Sequence, residues 1–399
     1  MTITLNPYIN KKLGYYVCDN IEFGSKIQAC LHSTEVDKPV QWVFNNDVFW
    51  RYNWSEEPQF SLEFHYNHRA RQIRESYDYV ILSYSGGSDS HNIYESFRRQ
   101  KLHIDEILVN TMTKSSARYQ NSSSAEAKDS LLSEHVQHTL PRLRDITLEM
   151  PKTKITVIDQ TDYLFESLEK ANDASWVLDK KEALNPAGAT RYNYLHFNEV
   201  RKRFDKSYRI ALIIGIEKPR TFIHQEKLYI RFTDRAANMV SIAEHLHEYP
   251  NSTVEFFYWS PDYVPLLIKQ GHVIKRYLES NPEMQVHWDS KITTADQYRL
   301  MHEPLLRKLL YTTWQPKWFQ AKKAVLDWYS ELDQWFLDGY SDTKAYHVWK
   351  EGIRYVEDNL KMYTKKSETK FGRFDGLVPF HHHYCLGTVK NLHPSLRHS

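Results

Sequence analysis

The sequence has 399 residues, enough for two or three domains at roughly 150 residues each. Its hydrophobic share of 41% and charged share of 26% are typical of soluble globular proteins and exclude disordered, collagenous and membrane-embedded classes. Lys and Arg number 52 against 50 Asp and Glu, so the whole chain has no general attraction for nucleic acid or lipid, although basic faces can exist locally. Three distant cysteines, Cys18, Cys30 and Cys385, argue against a disulfide framework.

The apolar runs of the sequence are short. The run at 210–214 has the length of a strand and is too short to span a bilayer. The first seven residues contain neither a basic start nor a hydrophobic stretch, so we expect no secretory signal. These features predict a cytoplasmic protein without membrane contact.

The N-terminal half contains a predicted strand–helix–strand unit. Residues 61–77 have apolar positions at helical spacing, and 78–84 form a compact apolar run typical of a buried strand. A helix is predicted over 90–101, and a second strand over 104–110. Because the helix crosses between them, we expect these two strands to be parallel.

The alternation of strands and helices continues along the chain. Further helices are predicted over 125–144, with a break at Pro141, and over 163–171 and 192–204; further strands are predicted over 154–158 and 208–215, followed by a hairpin over 221–232. We therefore expect an α/β domain with a parallel sheet over 76–260. A small β-containing region over 1–75 precedes it, and a helical, aromatic-rich region over 261–399 follows it.

The segment Ser85-Gly-Gly-Ser-Asp-Ser90 directly follows the first predicted strand and opens a helix. Two adjacent glycines permit positive φ angles and let the backbone approach a ligand closely. Serine hydroxyls and the N–H groups of a helix start then create a site for an anion such as pyrophosphate. Neither a Walker pattern nor a G-x-G-x-x-G motif after a strand occurs in the sequence. An ordinary phosphoryl-transfer loop and a dinucleotide fold are therefore not expected.

This segment resembles the S-G-G-x-D-S signature of the PP-loop ATP pyrophosphatases. That superfamily includes asparagine synthetase, GMP synthetase, argininosuccinate synthetase, tRNA-thiolating enzymes and PAPS reductases. The resemblance covers about 76–235 and implies a HUP-type parallel sheet flanked by helices. It also implies ATP and Mg²⁺ as cofactors, and cleavage of ATP to AMP and pyrophosphate to give an adenylated substrate.

The resemblance also implies roles for individual residues. Those implied to hold pyrophosphate are the loop residues Ser85, Gly86, Gly87, Ser88 and Ser90. Asp89 is implied to be catalytic and to position Mg²⁺ or phosphate. Asn110 and Thr111, at the end of the second strand, match the family's adenosine-binding position by location only.

A second candidate segment, Gly215-Ile-Glu-Lys-Pro-Arg220, follows the strongest predicted strand. It loosely resembles the second pyrophosphate-contacting segment of asparagine-synthetase-like proteins, and it is close to the G-x-D-K-P-R form of phage-encoded relatives. We expect Gly215 to help bind the nucleotide and Lys218 and Arg220 to be catalytic, because both carry charge suited to a reacting phosphoryl group. Glu217 is predicted to be a Mg²⁺ ligand. A charged turn leading into a hairpin is the plainer alternative.

Two departures narrow the function expected from the resemblance. Glutamine-dependent asparagine synthetases have a nucleophilic cysteine after the initiator Met, where this chain has Thr2, so no intrinsic glutaminase is expected. The cysteine spacing supports neither paired redox thiols nor an iron–sulfur cluster. We therefore expect a synthetase that adenylates a carboxylate, which ammonia or an amine then attacks.

Several alternatives stay open at the level of sequence. A PAPS-reductase-like or nucleotide- or nucleic-acid-modifying enzyme is one, and a nucleotide-binding interaction module without turnover is another. The expected partner is a small-molecule acceptor; a separate nitrogen-donating subunit, a nucleic acid and a second copy of the chain also stay open. The three histidines at 381–383 are expected to line a surface rather than bind a metal, and the region over 261–399 is expected to close the crevice.

Overall fold

The fold is that of a computed structural model, which describes residues 9–111, 113–115, 135–169, 171, 173–178, 184–186, 192–216, 218–234, 237, 251–290, 301–311, 313–314, 331–364 and 376–397. The strands in these residues are β1 (Tyr15–Cys18), β2 (Ile21–Phe23), β3 (Gln41–Val43), β4 (Tyr79–Ser83), β5 (Glu106–Thr111), β6 (Lys154–Asp159), β7 (Ile210–Ile214), β8 (Arg220–His224), β9 (Lys227–Thr233), β10 (Ser252–Phe256) and β11 (His381–Thr388). The α-helices are α1 (Lys26–Val36), α2 (Asn46–Phe49), α3 (Leu62–Ser76), α4 (Ser88–Arg99), α5 (Leu140–Glu149), α6 (Thr161–Glu169), α7 (Tyr192–Arg201), α8 (Val264–Ser280), α9 (Pro282–Gln285), α10 (Glu303–Leu310), α11 (Glu331–Gly339) and α12 (Lys344–Asn359).

A parallel sheet of five strands forms the centre of the fold, in the order β10-β7-β4-β5-β6. All four of its strand pairings are parallel. In chain order this is a 3-2-1-4-5 arrangement, compatible with a Rossmann-like fold. Three consecutive residues of β4, Val80, Ile81 and Leu82, are fully buried, as expected for a strand that is covered on both faces. The predicted α/β fold with a parallel sheet is confirmed.

The helix predicted over 125–144 begins later in the structure than the sequence suggested. Its first part lies outside the described residues, a π-helical turn occupies His135–Thr139, and α5 begins only at Leu140. Pro141 stands in the first turn of α5. Proline lacks an N–H group and is tolerated in the first turn of an α-helix. Pro141 therefore stands where the π-helical turn gives way to α5.

Two antiparallel sheets accompany the central sheet. The N-terminal one has the order β2-β1-β3, and the second has the order β11-β9-β8. The predicted hairpin over 221–232 is confirmed as β8 and β9, with Gln225 and Glu226 at φ +46° and +63° in its turn. Strand β11 comes from the region that we expected to be helical. Alternate side chains of β11, Tyr384 and Leu386, are buried, and this inward packing favours a strand over a helix.

Candidate functional site

The two candidate segments meet at the point where the strand order of the central sheet reverses. One follows β4 and the other follows β7, and these strands are neighbours, with Ile81 opposite Leu212. Because both strands are parallel, their carboxyl ends lie at the same edge. Open α/β sheets bind ligands in the crevice outside this edge, at such a reversal of strand order.

The loop after β4 depends on a glycine at position 86. Gly86 has φ +75°, a left-handed conformation that side chains disfavour. A Cβ atom there would also lie 2.6 Å from Oγ1 of Thr139 and 3.1 Å from its Cα. The Thr139 hydroxyl donates to the Ser85 carbonyl at 3.1 Å, so the loop is packed against the residues just before α5.

Helix α4 begins with its N-terminal N–H groups available. Gly87 stands at the N-cap position and provides no side-chain cap. The first helical hydrogen bond runs from the N–H of His91 to the carbonyl of Gly87 at 3.0 Å. The N–H groups before it have no acceptor within the helix and belong to Ser88, Asp89 and Ser90. The loop therefore has the backbone geometry of an anion site.

The serines of the loop have different surroundings. Ser88 and Ser90 are buried, whereas Ser85 is exposed. The Ser90 hydroxyl donates to the Gly87 carbonyl at 3.2 Å, and the Ser85 N–H donates to Ser90 Oγ at 3.3 Å. The five residues predicted to hold pyrophosphate thus form one hydrogen-bonded loop, in which Ser90 fixes the backbone.

Asp89 joins the two candidate segments. Its carboxylate accepts from Nζ of Lys218 at 2.8 and 3.1 Å and from the hydroxyl of Tyr311 at 2.6 Å. The Lys218 side chain is only 3% exposed, so its positive charge is held inside the protein at the sheet edge. The hydroxyl of Tyr258 donates to the Asp89 carbonyl at 2.9 Å. Lys218 of the second segment thus contacts the loop of the first.

Sequence reasoning missed Tyr258 and Tyr311. Both are buried, and burial together with the Asp89 charge raises their pKa well above the ordinary value, so both act as neutral donors. Tyr311 follows α10, and its ring also lies 5.5 Å from Nζ of Lys218. In a sequence with 27 tyrosines, no local pattern distinguishes these two.

Arg142 of α5 is another residue that the sequence did not indicate. It is 6% exposed, donates from Nη1 to the Gly86 carbonyl, and places its guanidinium 4.7 Å from the Trp314 ring centre. Nearby, Nδ1 of His91 lies 2.9 Å from the Tyr84 hydroxyl. Burial and the adjacent Arg142 lower the pKa of His91 to about 3, so this imidazole is neutral. Arg142 therefore places a buried positive charge against the loop.

The other predicted nucleotide-binding residues lie at the same sheet edge. A Cβ atom on Gly215 would approach Ile93 Cδ1 to 3.1 Å and Asp89 Cβ to 3.4 Å, so this glycine lets the second segment pass close to α4. Asn110 and Thr111 end β5, which is the neighbour of β4. The Thr111 hydroxyl lies 2.8 Å from that of Thr113.

Arg220, predicted to be catalytic, lies at the start of the hairpin. It is the first residue of β8, and its cross-strand partner is Arg231 of β9. It therefore belongs to the antiparallel sheet, although it follows Lys218 by only two residues. Glu217, the predicted metal ligand, lies outside the described residues.

Asp89, the other predicted Mg²⁺ ligand, is held in an ion pair with Lys218. Both its carboxylate oxygens already contact the Lys218 ammonium, and Tyr311 occupies one of them as well. A divalent cation bound there would lie beside another positive charge. Within the described ranges, no three or more His, Cys, Asp or Glu side chains are grouped as metal ligands would be.

In the part of the chain that the structure describes, no helix combines the length and apolarity needed to cross a membrane. Comparisons with known proteins give no relative for this chain: no protein family, no curated protein and no solved structure matches it.

Proposed function

We propose that this protein is an ATP pyrophosphatase of the PP-loop type, with a HUP-type nucleotide-binding domain. In this proposal the loop Ser85–Ser90 binds the phosphates of ATP, and the bond between the α- and β-phosphates is cleaved. The observation that carries the proposal is the junction of the two segments: the glycine loop and Lys218 meet at the reversal of strand order, joined through Asp89 at 2.8 Å.

The residues of this chain supply the charge that such a cleavage requires. The unpaired N–H groups at the start of α4 face an anion with the positive end of the helix dipole. Lys218 and Arg142 add two buried cations at the same edge. In a site with little water, preorganised donors of this kind stabilise negative charge that develops on a leaving pyrophosphate.

Asp89 then acts as a positioning residue for Lys218. An ammonium has three protons, and the two contacts to Asp89 leave one for a ligand in the crevice. Mg²⁺ bound to ATP would neutralise phosphate charge, and at Asp89 it would share the carboxylate with Lys218.

The acceptor is proposed to be a carboxylate that is adenylated and then attacked by ammonia or an amine, as in asparagine-synthetase-like proteins without their own glutaminase. A second candidate is ATP binding without turnover. One observation favours it: the carboxylate predicted to hold the metal is paired with Lys218 and accepts from Tyr311.

Product analysis separates these candidates. The protein is incubated with ATP and Mg²⁺ and a panel of carboxylates, amines, nucleosides and RNA, and nucleotides are separated by chromatography. Release of AMP and pyrophosphate that depends on one acceptor class supports the proposal and names that class. ADP and phosphate would overturn it, and retained ATP binding without any release would favour the second candidate. Gly86→Ala serves as the control for contaminating hydrolases.

A further inference from the structure

One face of the antiparallel sheet β8-β9-β11 carries cations and aromatic rings; we call it the basic face. Its members are Arg220, Phe222 and His224 on β8, Lys227, Tyr229, Arg231 and Thr233 on β9, and His381, His383 and Cys385 on β11. None of these ten described positions is acidic. The opposite face is mostly apolar and buried, with Ile223, Ile230 and Leu386 all at 0% exposure. The whole chain has nearly equal numbers of acidic and basic residues, but this face carries only basic ones.

The cations and rings of the basic face are interleaved. Arg231 lies between Arg220 and His383 in one cross-strand row. Its guanidinium is 4.5 Å from the ring centre of Phe222, which stacks on Tyr229 at 5.4 Å with an interplanar angle of 15°. The His383 ring meets the Phe222 edge at 5.1 Å. These flat groups form one preassembled platform.

The arginines repel each other in this arrangement. Burial and the neighbouring Arg220 lower the pKa of Arg231, and the Nε atom of Arg231 is buried without a hydrogen-bond partner among the described residues. Burial and Arg231 also lower the pKa of both His381 and His383 to about 4, so these imidazoles are neutral at pH 7. A bound phosphate would accept charge-assisted hydrogen bonds from the Arg231 guanidinium.

We propose that the basic face binds single-stranded nucleic acid, with phosphates on Arg231 and Lys227 and unpaired bases against Tyr229 and the imidazoles. Arginine charge interleaved with stacking rings on a sheet is what single-strand recognition requires. A membrane is disfavoured because the rings lie flat against one another, and Phe222 is only 7% exposed. This inference goes beyond the proposed function and does not depend on ATP cleavage.

The basic face begins two residues after Lys218 in the chain. Arg220 follows Lys218 by two residues, and an extended chain spans at most about 7 Å over that distance.

The test uses the full chain and a fluorescein-labelled single strand of about ten nucleotides, within the site size of such sheets. Anisotropy is measured between roughly 50 and 200 mM NaCl, where phosphate contacts give a strong salt dependence. We expect Arg231→Gln to weaken binding about tenfold and to reduce the slope of log K against log salt by about 0.7, the value for one lost phosphate contact on a single strand. Tyr229→Ser should weaken binding about tenfold through lost stacking, with the slope unchanged.

Two controls keep the result interpretable. Lys227→Gln changes an exposed residue of the basic face and should reduce the slope without disturbing the fold, whereas Lys361→Gln removes an exposed cation elsewhere and should change nothing. Equal affinity of wild type, Arg231→Gln and Lys227→Gln would overturn the proposal. Equal binding of inorganic polyphosphate, of an acidic peptide or of anionic vesicles, with Tyr229→Ser behaving like wild type, would also overturn it.

Discussion

The conformation of the loop after β4 requires a glycine at position 86. Its φ of +75° and the 2.6 Å approach to Thr139 leave no room for a side chain. We expect Gly86→Ala to lower the free energy of unfolding by about 1–3 kcal/mol through strained backbone, and to abolish ATP binding because the loop N–H groups move. Chemical denaturation and ATP titration measure the two effects.

Gly339 provides the matched control for that substitution. A Cβ atom there would meet no heavy atom within 4 Å, and it ends α11 far from the loop in sequence. Gly339→Ala should therefore leave ATP affinity unchanged. If Gly86→Ala bound ATP as wild type does, the loop would not be the phosphate site.

The residues of the loop were predictable from sequence, but its neighbours were not. Two glycines after an apolar run indicate a strand followed by a tight turn, because both elements depend on residues that are adjacent in sequence. Tyr311 reaches Asp89 across 222 positions of sequence, and Arg142 reaches Gly86 across 56. Such contacts depend on how helices pack on the sheet, and no spacing rule contains that information.

At the scale of single elements, Glu106 connects β5 to its neighbours at the sheet edge opposite the loop. It is fully buried; Oε1 lies 2.8 Å from His196 Nε2, and the Tyr79 hydroxyl donates to Oε2 at 2.9 Å. Burial alone would raise the pKa of Glu106, but hydrogen bonds, first from His196 and then from Thr156, lower it to about 2.

This lowered pKa predicts an acid-dependent loss of stability. The stabilisation is complete above the ordinary pKa of 4.5 and is lost as the pH falls toward 2. We expect on the order of 3 kcal/mol to disappear over that range. Urea denaturation of wild type and Glu106→Gln should show a smaller pH dependence for the variant, and the exposed Glu351→Gln should behave as wild type. Parallel pH profiles for wild type and Glu106→Gln would contradict this assignment.

The elements themselves follow local sequence patterns closely where the chain alternates strands and helices. Strands β4, β5, β6 and β7 and helix α4 all lie within the predicted segments, give or take two residues. Strand β11 differs because its inward side chains pack on β9, which is far away in sequence. The three histidines of β11 do not by themselves predict a strand, and the surrounding sequence has an aromatic, helical pattern.

At the scale of the whole molecule, Asp234 joins all three regions expected from sequence. Nζ of Lys26 lies 2.8 Å from its carboxylate, with both side chains fully buried. The hydroxyl of Tyr16 donates to the same oxygen at 2.9 Å, and the N–H of Phe380 donates to the other at 3.0 Å. The N-terminal strand, the end of β9 and the start of β11 are therefore held by one carboxylate.

Breaking this buried pair should be costly. Asp234→Ala leaves the Lys26 ammonium buried without its carboxylate, and we expect a loss of about 3–5 kcal/mol in the free energy of unfolding. The double variant Lys26→Met with Asp234→Ala should be less destabilised than Asp234→Ala alone, because no buried charge remains. Thermal and urea denaturation measure both. A loss below about 1 kcal/mol for Asp234→Ala would mean that this contact does not join the regions.

The most direct test of the ATP site is calorimetric titration with α,β-methylene-ATP, which carries the phosphates of ATP but resists cleavage between the α and β positions. Wild type should bind it, and Lys218→Met should bind it about tenfold more weakly, since one hydrogen bond to a charged group is lost. Lys308→Met, on α10 and outside the crevice contacts described above, should bind as wild type does. Absence of binding by wild type, or equal affinity of wild type and Lys218→Met, would contradict the proposed site.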